Sequence, residues 1–201
     1  MIHDQNKILF IHIPKTGGSS IEKLFFDDAD TKSVPHKHKT LTNILNKFPR
    51  TKNYFKFTFV RNPWDITYSM YRWAFKRPTF KKTYPKLVGM TFDQWIKSDY
   101  FKSPVLRYIN IGINGGDDGS YFDWFVDKKK RSEIDYIGKF EYLQEDFNKI
   151  CDLAKLERKE LPWVNKSNMN GESYRDQYSE QAIQIVRKKY EREIEFFGYE
   201  F

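Results

Sequence analysis

The feature that most constrains the fold of this chain is a pair of apolar runs, each of which leads directly into a turn that opens a helix. Ile8 to Ile13 runs into Pro14-Lys15-Thr16-Gly17-Gly18-Ser19-Ser20, and Lys56-Phe57-Thr58-Phe59-Val60 runs into Arg61-Asn62-Pro63-Trp64-Asp65. Short, uninterrupted apolar runs of this kind suit strands buried on both faces, and strands that alternate with helical periodicity form parallel sheets covered by helices. The spacing predicts strands at Lys7–Ile13 and Tyr54–Arg61, a short one near Ser33–Val34 and another at Tyr136–Phe140. Helices are predicted at Ser19–Phe26, Thr40–Phe48, Pro63–Phe75 and Phe92–Lys97. Asn62 is a good N-cap and Pro63 suits the first helical position. Two late amphipathic stripes read as core-facing helices, one through Leu143, Phe147, Ile150 and Ala154 and a longer one through Ile183, Val186, Tyr190, Ile194 and Phe197. Ser179 is placed to cap the second stripe and Gly198 to end it. Gly112 to Gly119 reads as a loop. The expected fold is α/β, one domain over residues 1–201, with a parallel sheet flanked by helices.

The first turn carries chemistry. Its glycines let backbone N–H groups approach an anion, the helix start adds partial positive charge, and Lys15 adds a full one. Ser19 followed by Glu22 has the spacing of a capping box. A strand-loop-helix joint with no ligand is the plainer alternative. Lys15 precedes Gly17 and Gly18, whereas the nucleoside-triphosphate loop G-x-x-x-x-G-K-[ST] places its lysine after the second glycine. The second turn leaves Arg61 at the carboxyl end of a strand, where open α/β sheets bind ligands. A guanidinium fork suits a phosphate dianion, and a helix hydroxyl at Ser69 supplies a further donor.

P-K-T-G-G-S-S after an apolar strand resembles the 5′-phosphosulfate loop of sulfotransferases that use 3′-phosphoadenosine 5′-phosphosulfate (PAPS). V-R-N-P-x-D followed by Ser69 resembles the 3′-phosphate motif of the same family. Ile137 to Leu143, Leu161 to Ser167 and the ending Phe197-Gly198-Tyr199 are similar to later parts of the carbohydrate-type branch, which includes Golgi polysaccharide enzymes and smaller bacterial or viral members. Phe75 to Asp135 carries little resemblance. The resemblance implies a P-loop-like fold, PAPS as co-substrate, 3′-phosphoadenosine 5′-phosphate (PAP) as product, and a hydroxyl acceptor, in that branch a carbohydrate. It implies that Lys15, Thr16, Gly17, Gly18, Ser19 and Ser20 hold the 5′-phosphosulfate, with Lys15 stabilising the leaving oxygen, and that Arg61 and Ser69 hold the 3′-phosphate. Lys166 would close over the co-substrate. A histidine between the second strand and its helix is a candidate base in this family; His38 aligns best and His36 is the alternate, and an imidazole pKa near 6.5 suits that duty. His12, inside the first strand, reads as structural. No metal is expected.

Composition narrows the alternatives. The formal charge of +8, from 35 basic and 27 acidic residues, favours anionic partners without choosing among nucleotides, nucleic acids, acidic glycans and lipid surfaces. Two other readings compete: a variant P-loop kinase, which would need Mg²⁺ and a triphosphate, and a basic nucleic-acid-binding module, for which no reading motif is present. Nucleic acid is not an expected partner. Cys151 is the only cysteine, sits in a predicted amphipathic helix and reads as core. No apolar span of membrane length and no signal-peptide pattern is seen, so the expected location is cytoplasmic.

Overall fold

The computed structural model describes residues 1–26, 38–102, 120–126, 132–162, 164 and 173–201. In chain order the described elements are β1 (Ile2–His3), β2 (Ile8–Ile11), α1 (Gly18–Phe26), α2 (Leu41–Lys47), β3 (Phe55–Val60), α3 (Pro63–Phe75), α4 (Pro78–Thr83), α5 (Phe92–Lys97), α6 (Asp99–Lys102), α7 (Phe122–Phe125), β4 (Tyr136–Lys139), α8 (Leu143–Leu153), α9 (Glu180–Lys189) and α10 (Glu191–Phe197). The chain divides into two compact units, 1–61 with 114–166, and 62–113 with 167–201. Among the described residues no helix is long and apolar enough to cross a membrane. The short strand expected near Ser33–Val34 and the loop at Gly112–Gly119 lie outside the described residues.

The first unit holds a four-stranded sheet in the order β1-β2-β3-β4. Strands β2, β3 and β4 run parallel, with Phe10 opposite Phe57 and Phe59 opposite Gly138. Alternation along the strands puts Ile8, Phe10, Phe57 and Phe59 on one face, where they bury against Ile21 of α1 and Phe147, Ile150 and Cys151 of α8. Phe10 and Phe57 stack at 5.0 Å between centroids, and Phe59 meets Phe57 edge-on at 6.3 Å. Gly138 is glycine because a Cβ there would strike the Phe59 ring across the ladder. The other face is buried too: Leu9, Ile11, Thr58 and Val60 are inaccessible to solvent. Cys151 is therefore a core residue, as expected, and burial pushes its thiol pKa up.

The all-parallel expectation misses β1. Met1 is buried, its backbone pairs with Phe10, and Ile2–His3 runs antiparallel to Leu9–Ile8. The reversal turns on Lys7 at φ 51° and is held by Asp4, whose carboxylate accepts from Arg50 Nη2 at 2.9 Å and Tyr54 Oη at 2.6 Å. Those two donors hold the Asp4 pKa down to about 2. Polar residues in a tight turn hid a strand only two residues long.

The regular elements described in the second unit are all helices. Asn62 caps α3 by accepting from the Trp64 N–H at 3.0 Å, with Pro63 following, and its amide donates to Glu200 O at 2.7 Å. Trp64 Nε1 donates to Ile183 O at 3.1 Å and Tyr178 Oη to Trp64 O at 2.8 Å, which fastens α3 to α9 and to the segment before it. Thr91 and Gln94 form a reciprocal capping box at the start of α5. Ser179 caps α9, and Gly198 ends α10 in the left-handed conformation. The single long helix expected there is two. Tyr190 leaves helical geometry at φ −115°, ψ 25°. Hydrogen bonds from Tyr190 N to Val186 O and from Ile194 N to Tyr190 O continue the four-residue spacing across the bend. Apolar periodicity is therefore the same on both sides of the break and does not reveal it.

Candidate active site

Strand β2 ends at Ile11, and the chain between it and α1 forms a compact loop. Lys15 has φ 68° and Gly17 φ 82°, whereas Thr16 between them stays in the ordinary negative range. Alternation of this kind is the backbone pattern of anion-binding nests, in which successive N–H groups face one side. Of the four non-glycine residues with positive φ among the described residues, two are Lys15 and His38. Strained backbone of this sort concentrates at functional sites.

Three contacts fix the loop. Thr16 is buried and its hydroxyl donates to Ile13 O at 2.8 Å, so the side chain is turned inward and only its N–H remains for a ligand. A Cβ on Gly17 would lie 2.9 Å from Leu143 Cδ2 and 3.0 Å from Phe140 Cδ2. A Cβ on Gly18 would enter the His12 ring. The capping box expected of Ser19 and Glu22 is not formed, because α1 begins one residue earlier, at Gly18, and Ser19 lies inside its first turn. The positive φ at Gly17 and the bond from Ser20 N to Gly17 O start the helix instead. Ser19 is half-buried and Ser20 buried.

Arg61 follows β3 and belongs to the same unit as the loop. Its Nη1 donates to Lys15 O at 3.0 Å, its guanidinium lies 4.1 Å from the centre of the Phe140 ring, and its own carbonyl accepts from Tyr121 Oη at 2.6 Å. The two turns, 46 residues apart in sequence, are therefore joined by a hydrogen bond. Ser69 is half-buried on α3 in the second unit. His36 and Lys166 lie outside the described residues.

His38 is half-buried, and its Nδ1 donates to His12 O at 2.9 Å. A carbonyl only accepts, so the proton of the neutral ring is on Nδ1 and Nε2 is the basic nitrogen. The His38 ring lies 4.3 Å from the His12 ring, which in turn stacks on Phe10 at 5.4 Å. His12 is 3% exposed, and its ring lies against both Gly18 of the loop and the His38 ring.

Sequence reasoning did not anticipate Phe140, Leu143 and Tyr121 as supports of the loop and of Arg61. Phe140 reads as the end of a strand and Leu143 as the start of a core-facing stripe, neither as a neighbour of the loop, and Tyr121 carries no local signal because its partner is 60 residues away. Asp146 sets the end of β4 against these supports. It is buried and accepts from the Lys139 N–H at 2.7 Å, Tyr136 Oη at 3.0 Å and Lys149 Nζ at 2.8 Å. Burial alone would raise its pKa; these donors outweigh it and the net shift is downward. A carboxyl depressed in the folded state contributes stability that is complete above the unfolded pKa near 4 and is lost as pH falls through the lower folded value. Urea midpoints measured from pH 7 to pH 3 are expected to fall less steeply on the acid side in Asp146→Asn than in the wild type. Parallel curves would remove Asp146 from the acid response.

The comparisons with known proteins agree with this arrangement. Residues 1–200 match the model of the Sulfotransferase family. The chain is 26% identical over 239 aligned residues to carbohydrate sulfotransferase 10 of Xenopus laevis, an alignment that covers 98% of this chain and 66% of that protein. The chain thus spans slightly less than two thirds of that relative's length. No solved structure gives a significant match. A family match from the first residue to the penultimate one, on a parallel sheet whose strand ends carry the glycine-rich loop and Arg61, places this chain in the Sulfotransferase family.

Proposed function

We propose that residues 1–201 act as one sulfotransferase domain, which moves the sulfuryl group of PAPS to a hydroxyl of a carbohydrate and releases PAP. The observation that carries this reading is the joint geometry of the loop and Arg61: a nest with Lys15 and Gly17 at positive φ, at the carboxyl end of β2, bonded to an arginine at the carboxyl end of the neighbouring parallel β3. The nest N–H groups, Lys15 and the Ser19 and Ser20 hydroxyls suit the 5′-phosphosulfate. Arg61 suits the 3′-phosphate, since a phosphate oxygen is a stronger acceptor than the Lys15 carbonyl it would exchange for. His38 suits the base. The acceptor O–H proton passes to Nε2, the acceptor oxygen bonds to sulfur as the bond from sulfur to the bridging oxygen breaks, and Lys15 meets the charge left on that oxygen. The carbohydrate acceptor is supported by the similarity to a carbohydrate sulfotransferase and by the resemblance of the later segments to that branch.

Calorimetric titration with PAP tests the reading directly. Micromolar binding is expected in the absence of Mg²⁺. Arg61→Ala is expected to weaken it about 10- to 100-fold, the loss of roughly 1.5–3 kcal/mol carried by hydrogen bonds to a charged group. No binding of PAP at millimolar levels by folded protein, or Mg²⁺-dependent ATP hydrolysis with no response to PAPS, would overturn the proposal.

A further inference from the structure

We propose that the elbow between α3 and α4 in the second unit is a binding surface for an acidic glycan chain. The choice of polymer rests on the carbohydrate reading above; the surface itself is argued from its residues. Between Asp65 and Asp93 the chain has no acidic residue, while Arg72, Lys76, Arg77, Lys81, Lys82 and Lys86 supply six cations. Lys76, Arg77, Lys81, Lys82 and Lys86 are all exposed. Aromatic rings are interleaved with them. Phe75 packs on Phe80 at 5.0 Å and Phe80 on Tyr84 at 5.4 Å.

Cations in or just past a last turn favour the helix dipole, which covers Arg72, Lys76 and Arg77 at the end of α3 and Lys81 and Lys82 in α4. The dipole does not explain why no carboxylate accompanies these cations. Nor does it position the Arg77 guanidinium, which is held 3.9 Å from the centre of the Trp73 ring as a preorganised cation. Beside these cations a pocket of about 340 Å³ is walled by Tyr71, Phe75, Phe80, Lys81, Val88 and Met90, within the ~300–1,000 Å³ usual for ligand sites. Tyr71 Oη donates to Met90 O at 2.8 Å and fixes the far wall. Val88 stands 52% exposed at the pocket, and Gly89 opens on free space. A ring-sized recess with apolar walls and a lysine, flanked by a row of cations, fits a saccharide ring of a carboxylated or sulfated chain. It suits nucleic acid less well, because the Trp73 face that would stack a base is covered by Arg77.

The test uses the full chain and four probes: a fluorescent decasaccharide of polygalacturonate, a neutral dextran oligosaccharide of similar length, a 12-residue oligothymidylate, and phosphatidylserine-containing vesicles. The carboxylated decasaccharide is expected to bind best, with affinity that falls as salt rises. The triple variant Arg77→Gln, Lys81→Gln, Lys82→Gln is expected to lose at least about tenfold of it and to flatten the salt dependence, and Val88→Glu, which sets a negative charge at the pocket, to lose a similar amount. All the substituted side chains are exposed, and PAP binding is the control for folding and is expected to be unchanged. Equal binding of the dextran, or wild-type affinity in both variants, overturns the proposal. Tighter binding of oligothymidylate or vesicles with the same variant sensitivity overturns it too, and reassigns the surface to nucleic acid or lipid. Failure of PAP to bind the wild type would instead sink the sulfotransfer reading, while the glycan titration still reports on the surface.

Discussion

Lys15→Ala is expected to lower the rate of sulfuryl transfer about 10²- to 10³-fold, the range for removing one preorganised group that meets charge as it develops. The loss should fall on kcat. Lys15 sits in the left-handed region at φ 68°, a conformation that costs alanine about as much as it costs lysine, so the exchange leaves the backbone term unchanged. The Lys15 carbonyl, which accepts from Arg61, is kept. PAP affinity should therefore change by only a few fold, since the charge Lys15 meets on the bridging oxygen builds as the bond to sulfur breaks. Single-turnover transfer from labelled PAPS across a panel of carbohydrate acceptors, together with PAP titration, separates the two effects. An unchanged transfer rate removes Lys15 from the mechanism, and a large loss of PAP binding at unchanged kcat makes it a binding residue.

Gly18→Ala is expected to damage both the fold and the site, although helix propensity points the other way. Alanine in place of glycine stabilises a helix interior by about 1 kcal/mol; at Gly18, the first residue of α1, the gain is smaller, and no positive φ forbids the change. The steric term wins. The new methyl would lie 2.8 Å from His12 Cε1 and closer still to two other ring atoms. That ring cannot move aside easily: it is 3% exposed and packs against both the Phe10 and His38 rings. Overpacking of this kind costs about 1–3 kcal/mol, or several degrees of Tm for a chain of this size. Because the displaced ring touches His38, transfer should fall by more than the loss of folded protein explains. His12→Ala in the same chain opens the space, and the double variant is expected to recover part of the Tm lost in Gly18→Ala. Ser19→Ala, one residue on and half-buried, serves as the near-neutral comparison for Tm alone, since its hydroxyl belongs to the proposed phosphosulfate site. Wild-type Tm and PAP affinity in Gly18→Ala would show that His12 yields.

Much of the fold was legible because its signals are local. Pro63–Phe75 and Phe92–Lys97 are observed with the predicted boundaries, and Asn62 and Ser179 cap the helices they precede. The readings that failed depended on partners far along the chain or on features that leave no trace in periodicity. The β1 strand exists because Asp4 finds Arg50 and Tyr54, 46 and 50 residues away. The bend at Tyr190 preserves apolar spacing, and the start of α1 was decided by Gly17 and by the His12 ring beneath Gly18 rather than by the Ser19 capping pattern.

Residue types and their order set which groups this protein can use: a lysine and two glycines after an apolar strand, an arginine after another, and a histidine before a capped helix. Those are covalent facts, and local propensity turns most of them into elements. Only the tertiary structure decided that the Arg61 guanidinium rests on the Lys15 carbonyl, that the Thr16 hydroxyl turns inward, and that His38 carries its proton on Nδ1 because the His12 carbonyl lies 2.9 Å away. The physical reason is that hydrogen bonds and ring contacts between residues tens of positions apart depend on which strands become neighbours and in what register, and register is settled by packing of the whole core.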